Sequence, residues 1–500
     1  MTFDSEVRAG VPVGTDPARG PSPSPNLTGG VAVITGAKIW FVGAGYLLYF
    51  GLTRLLGPEQ FGLYAVAVSI ASVLNNVLVA ASLQAVSRFV AASPERSGGV
   101  LTRALGAQFV LGLGLFLLFV TLAPWIAEWF RDPQLILPLR VSAAISFAYA
   151  LYAALVGYLN GRRRFVHQAA LDATFSTLKT ALAVGAAAVG WGVVGAIGGF
   201  ALAAWLACGI AGILVAREPR PPGAFPLREY LHFGGWLLAL TTVANLVLSA
   251  DLWIVKRLAD PAVANLEAGL FRAALTLAQL LYQFLIPLSL VVFPSLARLG
   301  SGDPEARRTV VRGAMRYLFV VVVPAAALLT VLGHELLGLL YGHDYRPGGD
   351  WLPALAPAYA AWTAAYLLAT ALAGGGRPVQ ALLTLGVGLV VQVVAAVGLH
   401  ALLGVTGVAV ADACGMGLAL VVGFVLATRE FGYFLPLGSF VRSLLVAAVL
   451  VTVSLLWPAS GVTLLLKLVA LGAIFLAGLA VGGELRPILG RLAPRGGTNS

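Results

Sequence analysis

RLLGPEQFGLY, residues 54–64, joins two apolar runs and returns in altered form as RLADPAVANLEAGLF at 257–271. Two further pairs follow in the same order. LNGRRRFVHQA at 159–169 is matched by LAGGGRPVQA at 372–381, and GVVGA at 192–196 by GVTGV at 404–408. The spacings agree: Arg164 to Gly192 is 28 residues and Arg377 to Gly404 is 27, while Gly62 to Arg164 is 102 and Gly269 to Arg377 is 108. Shared order and spacing mark an internal repeat, and a repeat decides the architecture before any single residue is weighed.

The segments between these landmarks are apolar. Hydrophobic residues fill 59% of the 500 positions and charged residues only 11%. A soluble chain of this length has no interior large enough for that surface. Apolar stretches of about 20 residues recur, each long enough to cross a bilayer as a helix. Short alternating strands are absent, which argues against an outer-membrane barrel. The reading is an all-α polytopic membrane protein. Its fourteen spans fall at 31–53, 62–85, 104–126, 137–159, 166–189, 191–216, 231–255, 268–293, 315–333, 351–373, 379–402, 404–427, 439–457 and 461–481. Six spans per repeat is an even number, so both halves run the same way through the membrane. Parallel six-helix lobes about an axis along the membrane normal suit a transporter that rocks around a central cavity.

Arginine orients the chain. With the N-terminus in the cytoplasm, the cytoplasmic segments hold 22 Lys and Arg and the outer segments six, while carboxylates divide 10 against eight. This asymmetry predicts both termini inside and explains the Arg162–Arg163–Arg164 run as a topology marker, with anionic lipid as a secondary contact. The net charge of +11 needs no nucleic acid on this reading. Cys208 and Cys414 sit in apolar runs and read as packing residues, not as a disulfide or metal pair. The expected organisation is a disordered tail at 1–30, without a removable signal peptide, then a lobe at 31–216 and a linker at 217–230. A second lobe follows at 231–427, then two appended helices within 439–481 and a tail at 482–500.

FGLTRLLGPEQFGLYAVAVSI (50–70), SLQAVSRFV (82–90), LNGRRRF (159–165), GWGVVGAIGGFALA (190–203) and FPSLARL (293–299) resemble one family. It is the polysaccharide-export branch of the multidrug/oligosaccharidyl-lipid/polysaccharide exporter superfamily, which also holds drug antiporters and the lipid II flippase. The resemblance spans about residues 30 to 480. It implies two six-helix bundles in a V, alternating access, no enzymatic step and no cofactor. It also implies an undecaprenyl-diphosphate-linked oligosaccharide as substrate, moved from the inner to the outer leaflet of the inner membrane. Membrane lipids would be contacts, and a coupling cation and a polysaccharide polymerase or ligase would be candidate partners.

A diphosphate and a sugar chain do not enter hydrocarbon unaided, so ionisable residues within the spans are the place to look. Lys38, Lys179 and Arg272, with Arg88 at the end of span two, are candidate diphosphate ligands. Lys38 is also within reach of the surface by snorkelling, and topology alone accounts for Arg88. Lys179 lies mid-span, seven residues after Asp172 on the same helical face, about 10 Å along the axis, too far for a tight pair. Asp172, Asp251 and Asp412 are candidates for ion coupling or pairing, Asp251 with Arg272 in particular. Lys467 is expected to snorkel. Asn75, Asn76, Asn245, Gln279 and Gln283 can meet sugar hydroxyls or bond between helices. One rival is a cation-coupled multidrug exporter of the same fold; it would favour an acidic cavity, whereas Lys38, Lys179 and Arg272 against Asp172 and Asp251 tilt slightly toward anions. Another is a polysaccharide polymerase or ligase, for which the longest outer loop, HELLGLLYGHDYRPGGD at 334–350, is short. His334, Glu335, His343 and Asp344 in that loop form no convergent metal set.

Overall fold

The computed structural model describes residues 27–223, 238–300, 302–459 and 461–484. Residues 1–26 of the expected tail, 224–230 of the linker and the C-terminal tail from 485 lie outside the described residues. The first helix, α1 (Leu27–Ala92), begins inside the expected tail and carries both of the first two predicted spans. It breaks at Gly57, where φ is 70° and ψ 171°. Glycine takes that backbone without strain, and Pro58 then opens the second segment with no N–H to leave unpaired.

Four helices complete the first half: α2 (Ser97–Trp129), α3 (Ile136–Gly161), α4 (Phe165–Ala188) and α5 (Gly192–Ala216). The second half starts with α6 (Leu238–Val247) and α7 (Ala250–Leu258), bent by 44° to one another, within the expected seventh span, whose residues 231–237 lie outside the described residues. The next predicted span is interrupted into α8 (Ala264–Ala278), α9 (Leu280–Gln283) and α10 (Leu285–Leu299). Then come α11 (Pro304–Leu340), α12 (Leu352–Gly374), α13 (Pro378–Leu403) and α14 (Val405–Phe431), with α15 (Leu437–Leu456) and α16 (Val462–Val481) appended. Among the described residues ten helices are long and apolar enough to cross a membrane, and an eleventh if the bent pair is one span. The difference from fourteen has local causes. α1 counts once, α4 carries His167, Gln168, Asp172 and Lys179, and the eighth span is broken. The protein is an all-helical, multi-pass membrane protein.

The repeat landmarks become matching structures. At the α3–α4 turn the Arg162, Arg163 and Arg164 amides donate to Tyr158, Asn160 and Leu159 carbonyls; at the α12–α13 turn Gly375, Gly376 and Arg377 donate to Ala371, Ala373 and Leu372. Arg164 pairs with Glu218 at the end of α5 (2.8 Å), and Arg377 pairs with Glu430 at the end of α14 (3.0 Å). Gly192 and Gly404 open α5 and α14 with φ of 60° and 58°. One position differs: Arg163 holds φ 59° where its counterpart Gly376 holds 83°. A non-glycine residue there is strained by ~1 kcal/mol or more, which exceeds the entropy glycine loses on folding. Arg163→Gly is therefore expected to stabilise the protein by ~0.5–1 kcal/mol, read as a small rise in apparent Tm in detergent. A fall would mean that the arginine side chain outweighs its backbone strain.

Helices α1–α5 pack on one another as one lobe and α7–α14 as another. The first stretch after α5 is fixed to the first lobe: Gly98 N–H donates to the Pro221 carbonyl (3.0 Å), and the Tyr158 hydroxyl donates to that of Pro219 (2.6 Å). The appended pair is keyed to α11 by Glu484, which accepts from Arg316 (2.7 Å), Arg442 (2.8 Å) and Ser439 (2.8 Å). Burial pushes that carboxyl up, but the Arg316 and Ser439 hydrogen bonds and the two arginine charges outweigh it and hold it below the usual glutamate range. Lys467 does not snorkel. It is buried and donates to the Ser454 carbonyl at 2.8 Å, so appended helix α16 turns its charge inward onto α15.

The lobes meet at the end where α1 breaks. Gly62 on α1 faces the Asn265 carbonyl of α8, and Gly269 on α8 faces the Pro58 carbonyl of α1. A Cβ on either glycine would drive into the opposite backbone. These are the paired glycines of the first repeat landmark, so the contact is reciprocal. At the same end the segment predicted as an outer loop packs onto α1. Tyr345 and Trp351 are buried, Tyr345 donates to the Thr53 carbonyl (3.3 Å), and the rings of Phe50 and Tyr341 lie 5.3 Å apart.

Candidate functional site

Three polar features occupy the lobe seam and the second lobe. The first is a line of contacts across the seam. Asn76 on α1 donates to the Asn245 side chain on α6 (2.8 Å), and Asn245 in turn donates to the Thr241 carbonyl (2.8 Å). Trp253 on α7 donates to the Ser69 hydroxyl (2.8 Å). Arg272 on α8 donates to the Tyr49 hydroxyl (3.0 Å), with its guanidinium carbon 5.3 Å from the centre of that ring. Gln283 lies within hydrogen-bonding reach of Tyr46. Four sequence candidates thus converge on the seam: Asn76, Asn245, Arg272 and Gln283. Asn75 is buried beside them with its side-chain oxygen unpartnered among the described residues. A guanidinium held by an aromatic face and one hydroxyl keeps most of its five donors for an anion.

The second feature grows out of the break between α6 and α7. A broken helix frees carbonyls, and side chains find them: Gln392 on α13 donates to the Val247 carbonyl (3.0 Å) and Gln279 to that of Leu248 (3.5 Å). Gln392 also donates to Asp412 on α14 (2.7 Å), and Gln279 to the Tyr359 hydroxyl (3.2 Å). Asp251, at the start of α7, accepts from the Leu252 amide (2.7 Å) and interacts directly with Asp412 and Tyr359. Asp251, Asp412 and Gln392 are each 0% exposed. One oxygen on each of the three has no hydrogen-bond partner among the described residues. Two adjacent carboxylates in a dry interior require a compensating cation or proton, and the unused oxygens are donors for it. The expected Asp251–Arg272 ion pair does not form: Asp251 turns to Asp412 and Arg272 to Tyr49. Gln279, which can meet a sugar or bond between helices, here bonds between helices in this inner network.

The third feature bridges the lobes at the closed end. Lys256 on α7 donates to Asp132 in the α2–α3 turn (2.7 Å) and to Asn265 on α8 (2.6 Å), and Asn265 donates to Asp132 (3.0 Å). Lys256 is 2% exposed and Asp132 8%. Burial acts to raise the Asp132 carboxyl, yet the Lys256 bond and charge and the Asn265 bond hold it below its ordinary range. Beside them, Arg257 lies 5.8 Å from the ring centre of Trp129.

The remaining candidates lie elsewhere. Lys179 sits inside the first lobe, its ammonium 5.4, 5.7 and 5.8 Å from the ring centres of Phe200, Phe175 and Phe41, with no carboxylate paired to it among the described residues. Asp172 lies beside Tyr149 and Tyr152. Arg88 is exposed at the opposite end of α1, 6.0 Å from the Phe89 ring centre. Lys38 lies on α1, and its side chain is outside the described residues. His334 pairs with Asp350 (2.9 Å), and the described residues hold no group of three or more His, Cys, Asp or Glu placed to bind a metal. Gln392 was legible by the rule that singled out Asp412, a polar group inside an apolar span. Tyr49, Ser69 and Trp253 carry no such signal, because a tyrosine, serine or tryptophan in a span is ordinary.

A family model described as polysaccharide biosynthesis protein matches residues 52–348. The chain belongs to that family. Among solved structures, this polysaccharide biosynthesis family member is similar to the lipid II flippase MurJ in an inward closed conformation. The TM-score is 0.72 over 92% of this chain and 99% of that one, at 13% identity. It is also similar to a multidrug resistance MATE family transporter of the MOP superfamily in its inward-facing conformation (TM-score 0.63, 77% of this chain, 94% of that one, 18% identity). The eukaryotic MATE transporter AtDTX14 is a further match (0.59, 83%, 100%, 16%). At these identities the likeness is one of fold. No curated protein matches the chain.

Proposed function

We propose that this protein is a non-enzymatic flippase. In this reading it carries an undecaprenyl-diphosphate-linked oligosaccharide from the inner to the outer leaflet of the cytoplasmic membrane by alternating access. The observation that carries the reading is Arg272, a cation held in the seam by Tyr49 with donors to spare, in a member of a polysaccharide biosynthesis family. The diphosphate binds there, with Lys38 and Arg88 as its approach from the cytoplasm, while the amides of Asn75, Asn76, Asn245 and Gln283 meet the glycan. The polyprenyl tail stays in lipid, since only the polar head needs shelter. The arginine-rich ends, with both termini, face the cytoplasm, and the Gly57 end faces out. A monovalent cation or proton between Asp251 and Asp412 supplies the coupling.

A second reading, a cation-coupled multidrug exporter, draws support from the same carboxylate pair and from the MATE-like fold. The flippase reading is favoured because the pair lies inside one lobe while Arg272, a half-buried cation, reaches across the seam to Tyr49.

The test is a reconstituted assay of lipid-linked oligosaccharide flipping. Hydrogen bonds to a charged group contribute about 1.5–3 kcal/mol, so Arg272→Ala should lower flipping ~10–100-fold and Arg272→Lys less. Lys179→Ala, outside the seam, should change it little. Wild-type flipping by Arg272→Ala would remove the anion site, and faster export of organic cations than of lipid-linked glycan would favour the second reading.

A further inference from the structure

The Asp132–Lys256–Asn265 triad has no part in substrate binding as proposed, and its placement gives it another task. Its members come from both lobes: Asp132 from the α2–α3 turn, Lys256 and Asn265 from α7 and α8. It sits at the reciprocal glycine crossing, where Asn265 also supplies the carbonyl that Gly62 faces. Opening this end would separate Asp132 from Lys256 and wet both. We propose that the triad is a charge-balanced lock on the Gly57 end, which holds the lobes shut there until they rock apart. The proposal rests on the alternating-access reading.

The chemistry of a buried ion pair makes the lock testable. Taking two charges out of water is expensive, and a well-made pair only about offsets it. The closed state therefore gains little net free energy from the pair as such. It depends strongly on both members being present, because one alone leaves a dry, uncompensated charge. Asp132→Ala strands Lys256, and Lys256→Met strands Asp132. Each should drive the end open so that water reaches the orphan. Replacing both, as Asp132→Leu with Lys256→Met, leaves an apolar contact of similar volume and should let the end close again. A lock made of shape alone would show no such restoration.

Spin labels at Glu128→Cys and Ala262→Cys, exposed positions on opposite sides of the lock, report the gap by pulsed electron–electron distance measurement in a Cys208→Ala/Cys414→Ala background. The expected result is a short distance in the background protein and a shift of the open-to-closed ratio by about ten-fold or more in each single variant. The double variant should return to the short distance. Single variants that keep the short distance, or a double variant as open as the singles, would overturn the proposal. The restored double variant also shows that the single variants have not simply lost their fold. The measurement needs no substrate, so it stands or falls separately from the flipping assay.

Discussion

Replacing Gly62 by leucine is expected to lower flipping severalfold to about a hundredfold or more while the helices remain folded. The Gly62 backbone faces the Asn265 carbonyl with no room for a Cβ, so the added side chain must lift α1 from α8. Overpacking of this kind costs about 1–3 kcal/mol, and here the strain falls on the closed form alone, since separation of the lobes relieves it. That shifts the closed population by roughly 5–150-fold. Gly269→Leu should match it, because Gly269 faces the Pro58 carbonyl in the same way. Gly45→Ala, with nothing within 4 Å of its added carbon, is the control and should transport normally. The measurement is flipping in vesicles, with circular dichroism to confirm the helix content. Normal flipping by Gly62→Leu would show that closure at this crossing is not needed for transport.

Removing one carboxylate of the buried pair should have the second large effect. With a cation between Asp251 and Asp412, folded protein is stabilised by mass action, by ~1.4 kcal/mol at ten times the dissociation constant and ~2.7 kcal/mol at a hundred times. The apparent Tm of the wild type should therefore climb with sodium or with falling pH, whichever ion is used. In Asp412→Asn the climb should vanish, and the cation-free variant should be no less stable than the cation-free wild type, because two facing charges have become one. A wild-type Tm indifferent to both sodium and pH would leave the pair as a structural contact without coupling.

Much of the architecture was legible before any coordinate. Hydropathy fixes the helices, and three short landmarks fix the repeat. All three reappear as equivalent turns and helix starts. The landmark glycines were visible as letters, but not that Gly62 and Gly269 would press on each other, since that contact joins residues from different lobes. The site was less legible for the same reason. Lys256 and Asp132 are 124 residues apart, and a lysine near the end of an apolar run reads as a loop charge because sequence alone cannot bury it. Lys179 reads as mid-span, and its surroundings are Phe175 on its own helix with Phe41 and Phe200 from two others, a grouping that one helical period only begins to encode. Asp412 lacked a partner in the sequence because its partners, Gln392 and Asp251, lie on two other helices.

The paired corner clamps have a mechanical consequence. Arg164–Glu218 and Arg377–Glu430 fasten the same turn to the same helix end in each half, and Arg307 adds a second bond to Glu430 at 2.8 Å. Under the alternating-access reading, each half is thereby braced at its corner, which leaves the seam as the place to move. Leverage applied at one mouth then reaches the other with little lost to internal flexing. Loosening a clamp would blunt that transmission without altering a single group that touches the cargo.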